Sequence, residues 1–311
     1  MVWELILIIL GLTFFEVITS IDNAIINAEV LSKMGAKARK WFLFWGLLIA
    51  VFLVRGLLPS LMLWVLNPHL GLVEVFTATL TSDASVLSAI EETAPILLML
   101  GGVFMLFLFF HWLFLEPKNY GIKGEKFFHA QGVWFYAVVS ILLAVIAWFA
   151  GQVSFLLAFG AVVGSTLFFL THGFKQNAEA QEKAIISGNT NLSDMSKLLY
   201  LEVIDMSFSI DGVIGAFAFT LVIPLILLGN GIGAFVVREL TIRNIENIKK
   251  YIYIKNGAMY SVFFLGIIMV LDAFGFHIPS WVSPILTFGT VAYFFWRSHQ
   301  HLKLNPSLAL K

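Results

Sequence analysis

The chain contains no cysteine, so disulfides and thiolate-bound metals are excluded. Charge is scarce as well. Asp, Glu, Lys and Arg make up 12% of the 311 residues, where a soluble domain carries about a quarter. The 19 basic and 19 acidic residues cancel, so no overall basic field points to nucleic acid as a partner. There are no heptads, no low-complexity tracts and no Walker or Gly-rich phosphate loop, which argues against transport driven by ATP hydrolysis in this chain. The first apolar run begins at Val2 without the basic n-region of a signal peptide, and reads as an uncleaved first span.

Apolar residues are abundant: 59% of the chain, with mean hydropathy +0.91. Several runs approach or exceed the roughly 20 residues that cross a bilayer as a helix. The expected fold is all-α, a single polytopic transmembrane helix bundle over residues 1–311 with about nine spans: 2–31, 41–66, 93–115, 131–150, 153–172, 196–220, 222–242, 254–274 and 279–298. With these spans, eighteen of the nineteen basic residues fall on one side. The positive-inside rule makes that side cytoplasmic. The expectation is a multi-pass protein of the bacterial inner (plasma) membrane, with the N-terminus outside and the C-terminus inside. The stretch 70–90, with Glu74 and Asp83 and no Lys or Arg, would spoil this pattern as a span. It reads as an extracytoplasmic helix or re-entrant segment. The loops 116–130 and 173–195 are too short for a domain.

One phrase occurs twice, within motif segments 13–27 and 202–215. The first copy is Glu16-Val17-Ile18-Thr19-Ser20-Ile21-Asp22-Asn23. The second runs from Glu202 through Asp205 to Ser209-Ile210-Asp211-Gly212. Ser-Ile-Asp is common to both, with a carboxylate six residues before its Asp (Glu16, Asp205). Acids inside a bilayer are costly and are kept where they bind, pair or move something. The first and sixth spans run in opposite directions, so the copies read as an inverted-topology repeat around one shared site. At 100° per residue Thr13, Glu16, Ser20, Asn23 and Asn27 share one face, as do Glu202, Asp205, Ser209 and Gly212. Asp22 and Asp211 sit about a third of a turn off these stripes and roughly 9 Å further along. Either the helix unwinds near Ser-Ile-Asp, exposing carbonyls, or the acids serve two adjacent sites.

Carboxylates, amides and hydroxyls are hard oxygen donors that suit Mg²⁺, Ca²⁺ or Mn²⁺. Glu16, Asp22, Asp205 and Asp211 are the candidate metal ligands. Ser20, Asn23, Glu202 and Ser209 are expected close by, and Asn230, between Gly229 and Gly231, either lines the site or belongs to a packing stretch. Arg55, the only base placed mid-membrane, either orients Asp22 or Asp211 or forms a structural ion pair. Five acids against one base leave an excess of negative charge. Desolvation and like charges raise carboxylate pKa values, so protons are expected to replace the metal. His111 and His172 read as interfacial groups, and Asp272 and His277 as solvated or capping ones.

These residues resemble the TerC family of integral membrane proteins. Ser20-Ile21-Asp22-Asn23 with Glu16 looks like that family's first-helix motif, and Glu202, Asp205 and Asp211 like its second. Arg55 matches a family arginine, and Asn230 with Arg238 resembles the Asn and Arg that follow the second motif. The second copy continues Asp211-Gly212-Val213-Ile214, where the family often has Asp-Ser-hydrophobic-Pro. The resemblance implies a manganese exporter whose motif acids bind the ion. The expected function is thus secondary export of a divalent cation, Mn²⁺ first, in exchange for protons. A Ca²⁺/proton exchanger is the alternative within transport. A non-transporting membrane scaffold for metal- or stress-response proteins is the alternative outside it. An enzyme ranks last, because no nucleophile–base pair accompanies the acids. The expected partners are the metal ion, protons and the lipid bilayer, with a homo-oligomer left open and no resident cofactor.

Overall fold

A bilayer core supplies no water to satisfy backbone N–H and C=O groups, so an apolar chain of this kind must close its hydrogen bonds within helices. The computed structural model describes residues 2–32, 34–71, 73–75, 84–186, 193–243, 248 and 250–304, with some helical side chains outside that description, among them Asp22, Asn23, Glu202 and Asp205. No strand occurs among the described residues. The helices are α1 (Val2–Thr19), α2 (Ile21–Ser32), α3 (Ala36–Trp41), α4 (Leu58–Leu66), α5 (Ala84–Leu115), α6 (Lys123–Ala130), α7 (Phe135–Val153), α8 (Phe155–Ile186), α9 (Asp194–Ala216), α10 (Ile223–Arg243), α11 (Ile254–Ala273) and α12 (Val282–Leu304). Between α3 and α4 the rod is widened by two π-helical segments, Phe42–Gly46 and Ala50–Leu57.

Six helical stretches are long and apolar enough to cross a membrane among the described residues: Val2–Thr19, Ser88–Leu115, Gly132–Val153, Phe155–Asn177, Ile223–Leu240 and Ile254–Ala273. The chain is an all-α polytopic membrane helix bundle. The remaining expected spans coincide with the π-widened rod, with α9 and with α12. In α9 the acids Glu202, Asp205 and Asp211 lower the apolarity. Two ends differ from expectation. α5 begins at Ala84 rather than 93, and α8 continues to Ile186 rather than stopping at 172. The added residues include Ser85, Ser88, Glu91 and Glu92 on α5 and Lys175, Gln176 and Asn177 on α8, which lower the hydropathy at these ends.

Contacts fix the relative directions of the helices. Gly11 lies against Phe219, and Glu16 lies against Gly212, so α1 and α9 run antiparallel. Thr13 Oγ1 donates to the Gly229 carbonyl at 3.0 Å and Glu16 abuts Gly233, so α1 and α10 run parallel. Gly56 meets Leu227 while Gly231 meets Val51, which makes α10 antiparallel to the π-widened rod. α5 and α11 are antiparallel through Gly101–Met269 and Leu106–Gly266. α5 is the hub, with 72% of its apolar window buried against 22% for the window containing α7. Phe104, Phe107 and Trp112 of α5 are fully enclosed, and Phe109 packs on Phe263 of α11 with ring centroids 4.5 Å apart. Trp3, Trp134 and Trp281 stand exposed near helix ends, as an aromatic belt at a membrane interface requires.

Candidate functional site

The first motif helix is interrupted by one residue. α1 ends at Thr19 and α2 starts at Ile21, but Ser20 N–H still donates to the Glu16 carbonyl at 3.1 Å and Ala24 N–H to the Ser20 carbonyl at 2.9 Å. The second copy runs through Ser209-Ile210-Asp211 without a break and ends only at Ala216. Unwinding at both copies, one of the two alternatives open from sequence, is therefore not what the chain does. The i→i−4 ladder bridges Ser20.

Glu16 is 1% exposed. Its Oε1 accepts from Ser20 Oγ at 2.8 Å and from Arg55 Nη2, which forms a buried ion pair with it. Its Oε2 lies over Gly212, where an added Cβ would stand 2.8 Å away. On the other side an added Cβ at Gly233 would meet Glu16 Cβ at 2.6 Å. Two glycines from two helices thus allow α9 and α10 to close on this carboxylate. Arg55 sits in the π segment Ala50–Leu57, just before Pro59. Pro59 has no N–H to donate, and the wider π turn carries the arginine across to α1. π segments often occur at functional sites.

Asp211 has its own cation. Lys175 of α8 donates to Asp211 Oδ2, and the two side chains are 13% and 15% exposed. Asp211 Oδ1 is buried without a hydrogen-bond partner among the described residues. Ser209 is buried two residues earlier. Asn230 of α10 is fully buried, and neither its Oδ1 nor its Nδ2 finds a partner among the described residues. An unsatisfied buried amide is costly, and Asn230 flanks the helix face that closes on Glu16. Asp22, Asn23, Glu202 and Asp205 lie on the same two motif helices, but their side chains are outside the described residues. Among the described residues, no three His, Asp or Glu side chains are grouped to hold a metal.

The family described as "Protein of unknown function (DUF475)" matches residues 21–304. The chain belongs to the DUF475 family. No curated protein and no solved structure matches it. The DUF475 match takes in Arg55, Lys175, Asp211 and Asn230 and begins five residues after Glu16.

In this DUF475 chain Arg55 forms a buried ion pair with Glu16; sequence offered it either a structural ion pair or the orientation of Asp22 or Asp211. The reason is packing: the widened rod meets α1 at the level of Glu16. Lys175, placed in a cytoplasmic loop from sequence, lies on the extended α8 beside Asp211. The only signal for it is that helical propensity persists through Phe174-Lys175-Gln176-Asn177-Ala178-Glu179-Ala180 after the apolar run ends. His111 and His172, expected near cytoplasmic span ends, pack against each other. Their rings are 4.0 Å apart, His111 is 8% exposed, and its Nδ1 lies 3.4 Å from Glu116 Oε1. Glu116 is in turn bridged by Lys255 at 2.9 Å. Asp272 is a capping group, accepting from Ile278 N–H at 2.6 Å.

The loop 116–130 is pinned to the bundle. Lys118 Nζ donates to the Leu113 carbonyl at 2.7 Å and to that of Trp112, closing the end of α5. Glu125, 1% exposed, accepts from Gly121 N–H at 2.7 Å and from Asn256 Nδ2 at 2.9 Å.

Proposed function

We propose that this DUF475 protein is a secondary transporter that moves a hard divalent cation, Mn²⁺ first, out of the cytoplasm in exchange for protons. The reading rests on one observation above the rest: two antiparallel helices carrying the same acidic phrase meet at Glu16 and Gly212 inside a membrane bundle. Carboxylates at the crossing of oppositely oriented repeats are what a midplane ion site needs. Hard oxygen donors favour Mn²⁺, Ca²⁺ and Mg²⁺ over thiophilic ions. Asp22, Asp205 and Asp211 would bind the ion together with Glu16 Oε2. Ser20, Asn23, Glu202, Ser209 and Asn230 would surround it, and Arg55 would hold Glu16 in place through Oε1. The resemblance to manganese exporters of the TerC family points the same way.

Charge counting supports exchange. Five motif acids against Arg55 and Lys175 leave three negative charges in the empty site, so the site must take up protons as the ion leaves. In this reading the N-terminus lies outside and the basic loops lie in the cytoplasm of a bacterium whose inner membrane holds the protein. The test is Mn²⁺ flux into vesicles reconstituted with the full chain, with internal pH recorded and Ca²⁺ and Mg²⁺ as competitors. Wild type should carry Mn²⁺ with protons moving oppositely, and Asp22→Asn and Asp211→Asn should each abolish the flux. Folded wild type that carries none of the three ions would end the transport reading.

A further inference from the structure

The two described motif acids are both ion-paired, but in different ways. Arg55 is enclosed, its partner Glu16 is also held by Ser20, and Gly212 and Gly233 close on that carboxylate from two helices. A rigid, planar guanidinium in such a place is a permanent fixture. Lys175 is a compact ammonium on a flexible four-carbon stem. Its neighbours on α8, namely Gly173, Phe174, Gln176 and Asn177, are all exposed, and no atom lies within 4 Å of a Cβ built on Gly173. Rotation about the lysine stem therefore takes the ammonium out of the bundle without moving a helix. Its partner Asp211 keeps the buried Oδ1 without a hydrogen bond among the described residues, so half of this carboxylate is desolvated and unused by the described part of the protein.

We infer that Lys175 is a tethered stand-in cation: its ammonium occupies Asp211 when no metal is bound, and the arriving divalent ion displaces it while taking both Asp211 oxygens. This deepens the transport reading above and rests on it. The consequence is a built-in competitor that sets the affinity of the site. A binding-competent state that is only fractionally populated weakens apparent affinity by that fraction. The lysine also keeps Asp211 from remaining as an unpaired buried charge between transport events, a condition that is strongly destabilising.

The test is calorimetric titration of the purified full chain with Mn²⁺, comparing wild type, Lys175→Gln, Lys175→Arg and Asp211→Asn. If the site is free of lysine a tenth of the time or less, Lys175→Gln should tighten Mn²⁺ binding about tenfold or more. Lys175→Arg should weaken it, because the guanidinium can hold both carboxylate oxygens. Asp211→Asn should abolish it. Opposite effects of Gln and Arg at one position are what a merely structural lysine would not give. If wild type binds Mn²⁺ and Lys175→Gln binds it no tighter, or Lys175→Arg binds as well as wild type, the inference is overturned while the transport reading stands. If only Lys175→Gln binds, the inference is upheld in its strongest form. If neither wild type nor Lys175→Gln binds Mn²⁺, Ca²⁺ or Mg²⁺, the transport reading fails and takes the inference with it.

Discussion

Arg55 reaches from the π-widened rod to the carboxylate of Glu16 on α1, and both side chains are sealed from solvent, at 4% and 1% exposure. Breaking such a pair from one side leaves a buried charge alone, at a cost of about 3–5 kcal/mol. Arg55→Met should therefore lower stability by about that much in detergent unfolding experiments. The double variant Glu16→Met/Arg55→Met should recover most of the loss. A single variant as stable as wild type would show that the pair has little structural importance.

The closeness of Gly233 to Glu16 gives a second expectation. An alanine there must push on Glu16 Cβ at 2.6 Å and on the Thr13 carbonyl at 2.8 Å, and α1 cannot yield because Thr13 is bonded to Gly229. Gly233→Ala should cost about 1–3 kcal/mol, the usual range for overpacking. Gly173→Ala, which meets nothing within 4 Å, should leave the unfolding midpoint unchanged or slightly raised. Equal effects of the two substitutions would contradict the close approach of α10 to α1.

Loop 116–130 is anchored through the buried Glu125. Asn256→Ala removes a donor to its carboxylate and should cost about 1–3 kcal/mol. It should also make the loop a better protease substrate. Limited proteolysis followed by mass mapping of the cuts reads this directly, and an unchanged pattern would show that the loop is held elsewhere.

Stability should fall in acid partly through Glu116. Burial pushes its carboxyl upward, but the His111 ring and the Lys255 ammonium outweigh burial and hold it well below the usual value of 4.5. The folded state thus holds the proton less readily than the unfolded chain. Stability from this group is present above roughly pH 4.5 and is lost as pH falls through the folded value. Glu116→Gln should flatten that acid limb in a pH series of thermal midpoints. If the limb keeps its slope, Glu116 is not its source.

Much of the architecture can be read from local sequence. Long apolar runs report the helices, and the doubled Ser-Ile-Asp marks the two helices that meet at Glu16 and Gly212. What sequence could not report depends on where helices touch. Arg55 had several candidate acids, and only the crossing of the widened rod with α1 selects Glu16. Lys175 was hidden because hydropathy stops at His172 while the helix does not. The contact of the His111 and His172 rings follows from the packing of α5 on α8, a relation no single segment encodes. The π segments leave no period of their own, and Pro59 is the nearest sign of them.

The two ion pairs also bear on how the chain enters the bilayer as it is made. Arg55 follows Glu16 by 39 residues and Lys175 precedes Asp211 by 36, so each acid finds its counter-charge on a helix close to its own in the chain. Neither acid has to wait for the rest of the bundle to be neutralised. The order differs between them. Glu16 enters the lipid before its partner has been synthesised, whereas for Asp211 the lysine is already there to receive it.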